Sequence, residues 1–142
     1  MSTISVQITT TKSPAQVRQI LTDFSPARAD AWPGVDLSHL EVHESGEDWV
    51  EVTEGNRIGW ERERYTWDDA AGTVTATTVD SNLWAAGSRW DYRLVPVDGG
   101  TRVEVTLIRI GKGLKGKAVG ALIPVLGGRM ITAGLNSALN PR

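Results

Sequence analysis

The chain has 142 residues, of which 23% are charged, and its formal net charge is −2 at pH 7. This length predicts one domain over residues 1–142, and the absence of a basic excess argues against nucleic acid as a partner. Because the chain has no cysteine, disulfides, thiol catalysis and cysteine-ligated metals are excluded.

The first third of the chain predicts one strand and two short helices. Apolar and polar residues alternate over 4–9, which is typical of a strand with one buried face. Ser13-Pro14 and Ser25-Pro26 are helix-start signals, and Trp32 with the following Pro-Gly ends the second helix. No basic segment followed by an apolar one opens the sequence, so we expect no signal peptide and a cytoplasmic protein.

Six more strands are predicted in the middle of the chain. Short turns rich in Gly, Asp and Asn separate them, which favours antiparallel pairing of neighbours. In the first of them, Leu40 and Val42 are expected to face inward, with His39 and His43 on the opposite face. The predicted strands cover 39–43, 49–54, 57–67, 73–79, 87–97 and 101–110.

The last segment, 111–139, is almost wholly apolar and is predicted to form one long helix. No acidic residue follows Glu104, and lysines stand at the start of the segment. Pro124 lacks a backbone donor and should kink the helix. The uninterrupted apolar stretch is shorter than the ~20 residues that a spanning helix needs, so no transmembrane segment is predicted.

This order of elements resembles the helix-grip superfamily, which includes START-like, Bet v 1-like and polyketide cyclase/dehydratase proteins. The entry strand and Ser-Pro-capped helix of residues 4–24 are similar to those of its small bacterial members, and Trp32 stands where a tryptophan is common. The turn 100–103 (Gly-Thr-Arg-Val) and the glycine-rich helix after residue 113 are also similar.

The resemblance implies an α+β helix-grip fold. In that fold a seven-stranded, antiparallel, curved sheet surrounds a long C-terminal helix, and two short helices lie between strands 1 and 2. The resemblance also implies an apolar cavity between the sheet and the last helix. It implies chemistry only weakly, because a fold does not fix a function.

Strand alternation predicts which side chains line this cavity. Trp90, Tyr92, Leu94 and Val105 are expected on the inner face of the sheet, and the last helix is expected to contribute Leu122 and Val125.

The sequence does not determine which face of strand 57–67 is the inner one. One face carries Trp60, Arg62 and Arg64, and the other carries Glu61 and Glu63, so either choice brings two charges near the interior. We predict that Trp60, Arg62 and Arg64 line the cavity, with the arginines as a polar anchor for the ligand. In the alternative interpretation, the charges lie at the rim or form Arg–Glu pairs outside.

Two turns are candidates for the mouth of the cavity. Leu83 and Trp84 lie in the loop 80–87, where they are expected to be exposed and either to gate the cavity or to cover core apolar surface. Trp32 lies in the second turn.

Three hypotheses for function follow. The first is binding of a small hydrophobic or amphipathic molecule, such as a lipid, a polyketide or an aromatic metabolite. The second is a cyclase or dehydratase, in which Glu61, Glu63 and Tyr92 are acid–base candidates if they face inward, although no catalytic residue can be assigned. The third is weak contact with a membrane surface through Lys112, Lys115 and Lys117. We expect no metal and no cofactor, and the sequence indicates no particular oligomeric state.

Overall fold

The computed structural model describes residues 1–142 and contains one seven-stranded antiparallel sheet with helices on one side. The strand order across the sheet is β1-β7-β6-β5-β4-β3-β2. The strands are β1 Ser2–Thr10, β2 Glu41–Ser45, β3 Trp49–Gly55, β4 Trp60–Asp68, β5 Thr73–Ser81, β6 Arg89–Val97 and β7 Gly100–Arg109. All the predicted strands are confirmed, with bounds that shift by a few residues.

The first strand pairs with the last one. β1 runs antiparallel to β7 from Ser2↔Arg109 to Thr10↔Thr101. Every other pairing joins strands that are consecutive in the chain, as the short turns predict. The concave face of the sheet therefore receives alternate side chains from all the central strands.

The two helices α1 (Pro14–Leu21) and α2 (Ala27–Ala31) connect β1 to β2. A capping box begins α1, because the Ser13 hydroxyl accepts from the Gln16 amide and the Gln16 side chain accepts from the Ser13 amide. Both Ser-Pro signals in the sequence therefore lie at the start of a helix.

The C-terminal segment is a broken helix and not one straight helix. It consists of α3 (Gly113–Gly120), a π-helical turn (Ile123–Gly127) and α4 (Gly128–Leu139), and the axes on the two sides of the break differ by 43°. The predicted kink is confirmed, since Pro124 lies within the π-helical turn and has no N–H to donate.

No single helix is both long enough and apolar enough to cross a bilayer, and only the bent pair Gly113–Gly120 with Ile123–Leu139 reaches that length and composition.

The core lies between the concave face of the sheet and α1 and α4. Val103, Val105 and Leu107 of β7 are buried there, together with Ile131 and Leu135 of α4. By the 25 cal/mol per Å² rule, each fully buried aliphatic side chain contributes about 1.5–3 kcal/mol.

The edge strand β2 differs from the prediction. All five of its residues are exposed, including Val42, so it does not contribute to the core. A bulge between Val42 and Glu44 breaks the pairing with β3, and a strand at the edge has one free side. His39 lies in a 3₁₀ turn, Leu37–His39, and not in the strand.

Candidate functional site

A buried ion pair joins two strands of the concave face. The guanidinium of Arg109 in β7 donates two parallel hydrogen bonds to the Glu61 carboxylate in β4, from Nη1 to Oε2 and from Nη2 to Oε1, both at 2.7 Å. The Thr78 hydroxyl of β5 donates to the same Oε2. Both charged side chains are buried, and each neutralises the charge of the other in the interior.

A second pair lies towards α2. Arg28 Nε donates to Glu54 Oε2 at 2.5 Å, and the Tyr65 hydroxyl donates to Glu54 Oε1 at 2.6 Å. Arg28 also donates to the carbonyls of Leu21 and Asp23, which fixes the helix end to the sheet. Burial opposes ionisation of Glu54, but the charge of Arg28 together with hydrogen bonds from Arg28, Tyr65 and Glu63 keeps the pKa of Glu54 below its ordinary value.

Glu63 lies on the same strand and the same face as Glu61, between these pairs. It is 2% exposed, and its Oε2 atom is buried without any hydrogen-bond partner. Burial, followed by the negative charges of Glu61 and Glu54, raises the pKa of Glu63 well above its ordinary value. The buried site therefore favours the protonated form of Glu63, which can donate one hydrogen bond, with the Glu54 carboxylate as a neighbouring acceptor, and can accept others.

Arg28, Glu54, Glu61, Glu63 and Arg109 together form what we call the acid–arginine cluster. Two positive charges and two negative charges leave the cluster without net charge when Glu63 is protonated. A neutral carboxyl held among fixed charges and apolar walls is the arrangement that sites for small molecules use to orient a ligand.

Tryptophans cover both arginines of the cluster. The Arg109 guanidinium lies 4.9 Å from the ring centroid of Trp84 and 5.3 Å from that of Trp90. The Arg28 guanidinium lies 5.4 Å from the ring centroid of Trp32. Cation–π contacts of this kind are stronger away from water, so the three tryptophans help to hold the buried charges.

Four predicted lining residues lie on the concave face, as the alternation indicates. Tyr92, Leu94 and Val105 are buried, and Trp90 is half-buried with its ring stacked on Tyr92 at a centroid distance of 6.1 Å. Burial raises the pKa of Tyr92, which therefore keeps its phenolic proton. These residues form the apolar wall beside the acid–arginine cluster.

The structure places the predicted lining residues of β4 on the other face. Arg62 and Arg64 point to the convex side, where Arg62 Nε donates to Glu51 Oε2 at 2.8 Å and Arg64 Nη2 to Glu51 Oε1 at 3.3 Å. Trp60 shares their face by alternation and is half-buried. The prediction is wrong because Arg109 of β7 neutralises Glu61 and burial favours the protonated form of Glu63, so that the acidic face of β4 can lie inside.

The two predicted lining residues of the last helix also point outward. Leu122 is 54% exposed and Val125 is 76% exposed. The helix turns glycines towards the sheet instead: a Cβ on Gly127 would lie 2.9 Å from Ile4 Cδ1. Close packing of backbone against strand leaves no room for bulky side chains on that side.

The predicted mouth residues are packed and not exposed. Leu83 and Trp84 are buried beneath α3, where a Cβ on Gly116 would lie 2.1 Å from the Leu83 carbonyl oxygen and one on Gly120 would lie 3.4 Å from the Trp84 ring. Trp32 is half-buried and packs against the core. All three cover apolar or charged interior groups, which is the second of the two roles that the sequence left open for the 80–87 loop.

Sequence reasoning missed Arg28, Glu54 and Arg109. Alternation along β7 could have found Arg109, because it follows Leu107 on the inner face. No comparable signal marks Arg28, which lies in a helix of five residues.

A separate recess of about 410 Å³ opens on the surface beside α1. Its lining is mostly polar and includes no residue of the acid–arginine cluster, so it is not part of the same site. The lining residues are Lys12, Gln16, Gln19, Ile20 and Asp23.

Comparison with known proteins supports the helix-grip interpretation. A family model described as polyketide cyclase/dehydrase and lipid transport matches residues 1–138. No curated protein matches the sequence.

Several solved structures have the same fold. The chain is similar to the Zhui aromatase/cyclase from Streptomyces sp. R1128, with 15% identity, a TM-score of 0.81, and coverage of 98% of this chain and 92% of that one. It is similar to the protein TTHA0849 from Thermus thermophilus, with 16% identity, a TM-score of 0.74, and coverage of 99% and 93%. A START superfamily protein from Mycobacterium smegmatis gives 13% identity, a TM-score of 0.73, and 97% coverage of both chains. At these identities the likeness shows the helix-grip fold.

Proposed function

Because the chain belongs to the polyketide cyclase/dehydrase and lipid transport family, we propose that it binds a small hydrophobic or amphipathic molecule between the sheet and the C-terminal helices. A lipid, a polyketide or an aromatic metabolite has the required chemistry. The observation that carries the proposal is the buried Oε2 atom of Glu63, which has no hydrogen-bond partner. An unsatisfied buried polar atom costs about 1–3 kcal/mol, and a ligand that bonds to it removes that cost.

The charges of the acid–arginine cluster select the polar group of the ligand. Arg28 and Arg109 are already paired with Glu54 and Glu61, so a ligand carboxylate would compete with existing ion pairs. The protonated Glu63 also hydrogen-bonds to Glu54, so its unpartnered Oε2 atom suits a neutral ligand group that can donate, such as a hydroxyl. The ligand is therefore an apolar body with a neutral oxygen at one end.

The apolar body of the ligand lies along the concave face. Tyr92, Leu94 and Val105 supply a continuous wall there, with Trp90 beside Arg109. Aromatic and aliphatic walls with a few polar atoms are the usual composition of small-molecule sites. In this proposal the interior opens by movement of side chains, since these residues pack against one another.

In this proposal the ligand enters past the two turns that carry Trp84 and Trp32. Trp84 lies between Gly120 of α3 and the Arg109 guanidinium, so displacing the loop together with α3 exposes the Glu61–Arg109 pair. Trp32 covers Arg28 in a corresponding way. In this proposal the two turns, which are packed in the closed chain, act as movable covers of the interior.

The test measures binding of a fluorescent fatty alcohol and of the matching fatty acid to the purified chain. We expect the alcohol to bind more tightly, and Glu63→Leu to weaken its binding about tenfold by removing the polar partner. Glu63→Gln, which keeps a donor and an acceptor, should retain most of the affinity. Thr66→Leu on the exposed side of the same strand is the matched control.

Two results would count against binding at this site. One is the absence of any apolar molecule in extracts of the purified chain together with no uptake of either probe. The other is equal loss of affinity in the Glu63→Leu and Thr66→Leu variants, which would place the probe elsewhere.

A second candidate function is catalysis of the cyclase or dehydrase type. The observation that favours it is again Glu63, because a carboxylic acid with a raised pKa can protonate or polarise a ligand carbonyl at neutral pH. Tyr92 on the same face keeps its proton and can donate to the same oxygen. If Glu63→Gln and Tyr92→Phe leave turnover of polyketide-type substrates unchanged, this candidate fails while the binding proposal stands.

A further inference from the structure

The C-terminal helices expose bulky apolar side chains to solvent. Five of them define what we call the outer helix face: Leu114, Leu122, Val125, Leu126 and Met130, with exposed fractions between 47% and 89%. Leu122, Val125, Leu126 and Met130 follow at helical spacings of three, one and four residues, so they lie along one side of the π-helical turn and α4. A contiguous apolar surface of this kind marks an interaction site.

In α3 and the π-helical turn the distribution of side chains is the reverse of that in an ordinary core helix, whereas α4 buries Ile131 and Leu135 in the core. The inner side carries buried glycines: Gly116 and Gly120 face the loop 80–87, and Gly127 faces Ile4 of β1. The bulky residues are outside, where they gain nothing from the core. Their clustering makes this surface a candidate for contact with a partner outside the chain.

The charges around the outer helix face are positive. Lys115, Lys117 and Arg129 are exposed and form no salt bridge, and no acidic residue follows Glu104 in the chain. The Lys115 ammonium donates to the Ile58 carbonyl at 3.5 Å, which brings the exposed Ile58 beside α3 and extends the apolar surface.

We propose that the outer helix face docks on an anionic lipid bilayer. Leu122, Val125 and Met130 enter the boundary between headgroups and acyl chains, and the lysines contact the anionic headgroups. A second copy of this chain is a poorer partner, because a symmetric contact would bring the same cations face to face. The inference does not depend on the ligand proposed for the interior.

The test is flotation of the full chain with vesicles of phosphatidylcholine alone or mixed with phosphatidylserine, at low and high salt. We expect binding to the mixed vesicles at low salt, with about fivefold weaker binding for each lysine neutralised in Lys115→Gln and Lys117→Gln. Val125→Glu with Met130→Glu should lower binding at least about tenfold, since charges replace the inserted side chains. Leu37→Glu and Val79→Glu, at exposed apolar positions elsewhere, are matched controls that should bind normally.

Three results would overturn the proposal. The first is no flotation with phosphatidylserine vesicles at low salt, and the second is equal loss in the control and test variants. The third is a dimer in sedimentation velocity that Val125→Glu with Met130→Glu dissociates while the unmodified chain fails to float, which would identify a second copy as the partner. Urea unfolding of each variant checks that the chain remains folded.

Discussion

Replacing Glu63 by Gln tests whether this carboxyl is neutral in the folded chain. In the unfolded chain Glu63 ionises near its ordinary pKa of 4.5, whereas the folded chain raises that pKa well above 4.5. Between these two values folding takes up one proton, so the Glu63 contribution lowers the free energy of unfolding as pH rises. The slope for one proton is about 1.4 kcal/mol per pH unit.

The size of the effect follows from the width of that pH window. Gln has the shape of a protonated Glu but does not titrate, so it keeps the stability that the wild-type chain loses as pH rises. The Glu63→Gln variant should therefore match the wild-type chain below pH 4.5. Above it, the unfolding free energy of the variant should exceed that of the wild type by about 1.4 kcal/mol for each pH unit, until the folded pKa is reached.

Urea unfolding followed by tryptophan fluorescence, at a series of pH values from about 4 to about 8, measures this difference directly. Other titrating groups cancel when the two curves are subtracted. Glu61→Gln, on the same face of the strand, is a control that should change the unfolding free energy in the opposite direction. It removes the buried charge partner of Arg109 and should lower the unfolding free energy by about 3–5 kcal/mol at neutral pH. Parallel stability curves for Glu63→Gln and the wild-type chain would refute a neutral Glu63.

The remaining predictions concern the second ion pair and the glycines. Arg28→Met should lower the unfolding free energy by about 3–5 kcal/mol because it leaves the Glu54 carboxylate without its charge partner in the interior, and adding Glu54→Gln should restore part of the loss in the same urea assay. Gly134→Ala should raise stability by about 1 kcal/mol, since α4 has open space at that position. Gly116→Ala should lower it by about 1–3 kcal/mol, because the new methyl would meet the Leu83 carbonyl at 2.1 Å. Thermal unfolding distinguishes the two glycine variants, and a stabilising Gly116→Ala would contradict the packing of α3.

The strands and the antiparallel pairing of neighbouring strands could be read from the sequence because local signals carry them, whereas the fold class came from the resemblance to the helix-grip superfamily. Turn residues bound each strand, and alternation assigns faces wherever one face is clearly apolar, as along β7. β4 has charges on both faces, so alternation alone cannot orient it. Its orientation depends on Arg28 and Arg109, which approach only in the folded chain.

The incorrect prediction that Leu122 and Val125 of the last helix line the cavity also concerns side-chain orientation. Bulky apolar residues such as Leu122 are usually buried, and that average favoured an inward orientation. The glycines at 116, 120 and 127 recur at helical spacing and mark the side that packs closely against the loop 80–87 and β1. Reading this glycine stripe as the packed side would have predicted the outward face correctly.

The pairing of β1 with β7 has a consequence for how the chain folds during its synthesis. Ile4 has Leu107 as its partner, so β1 leaves the ribosome about a hundred residues before the strand that it pairs with. Each of the other pairings forms between strands that are adjacent in the chain, and these can form as the chain emerges. Until β7 is complete, β1 is an unpaired apolar strand that other chains or chaperones can capture. The β1–β7 pairing, which completes the sheet, forms only after β7 has been made.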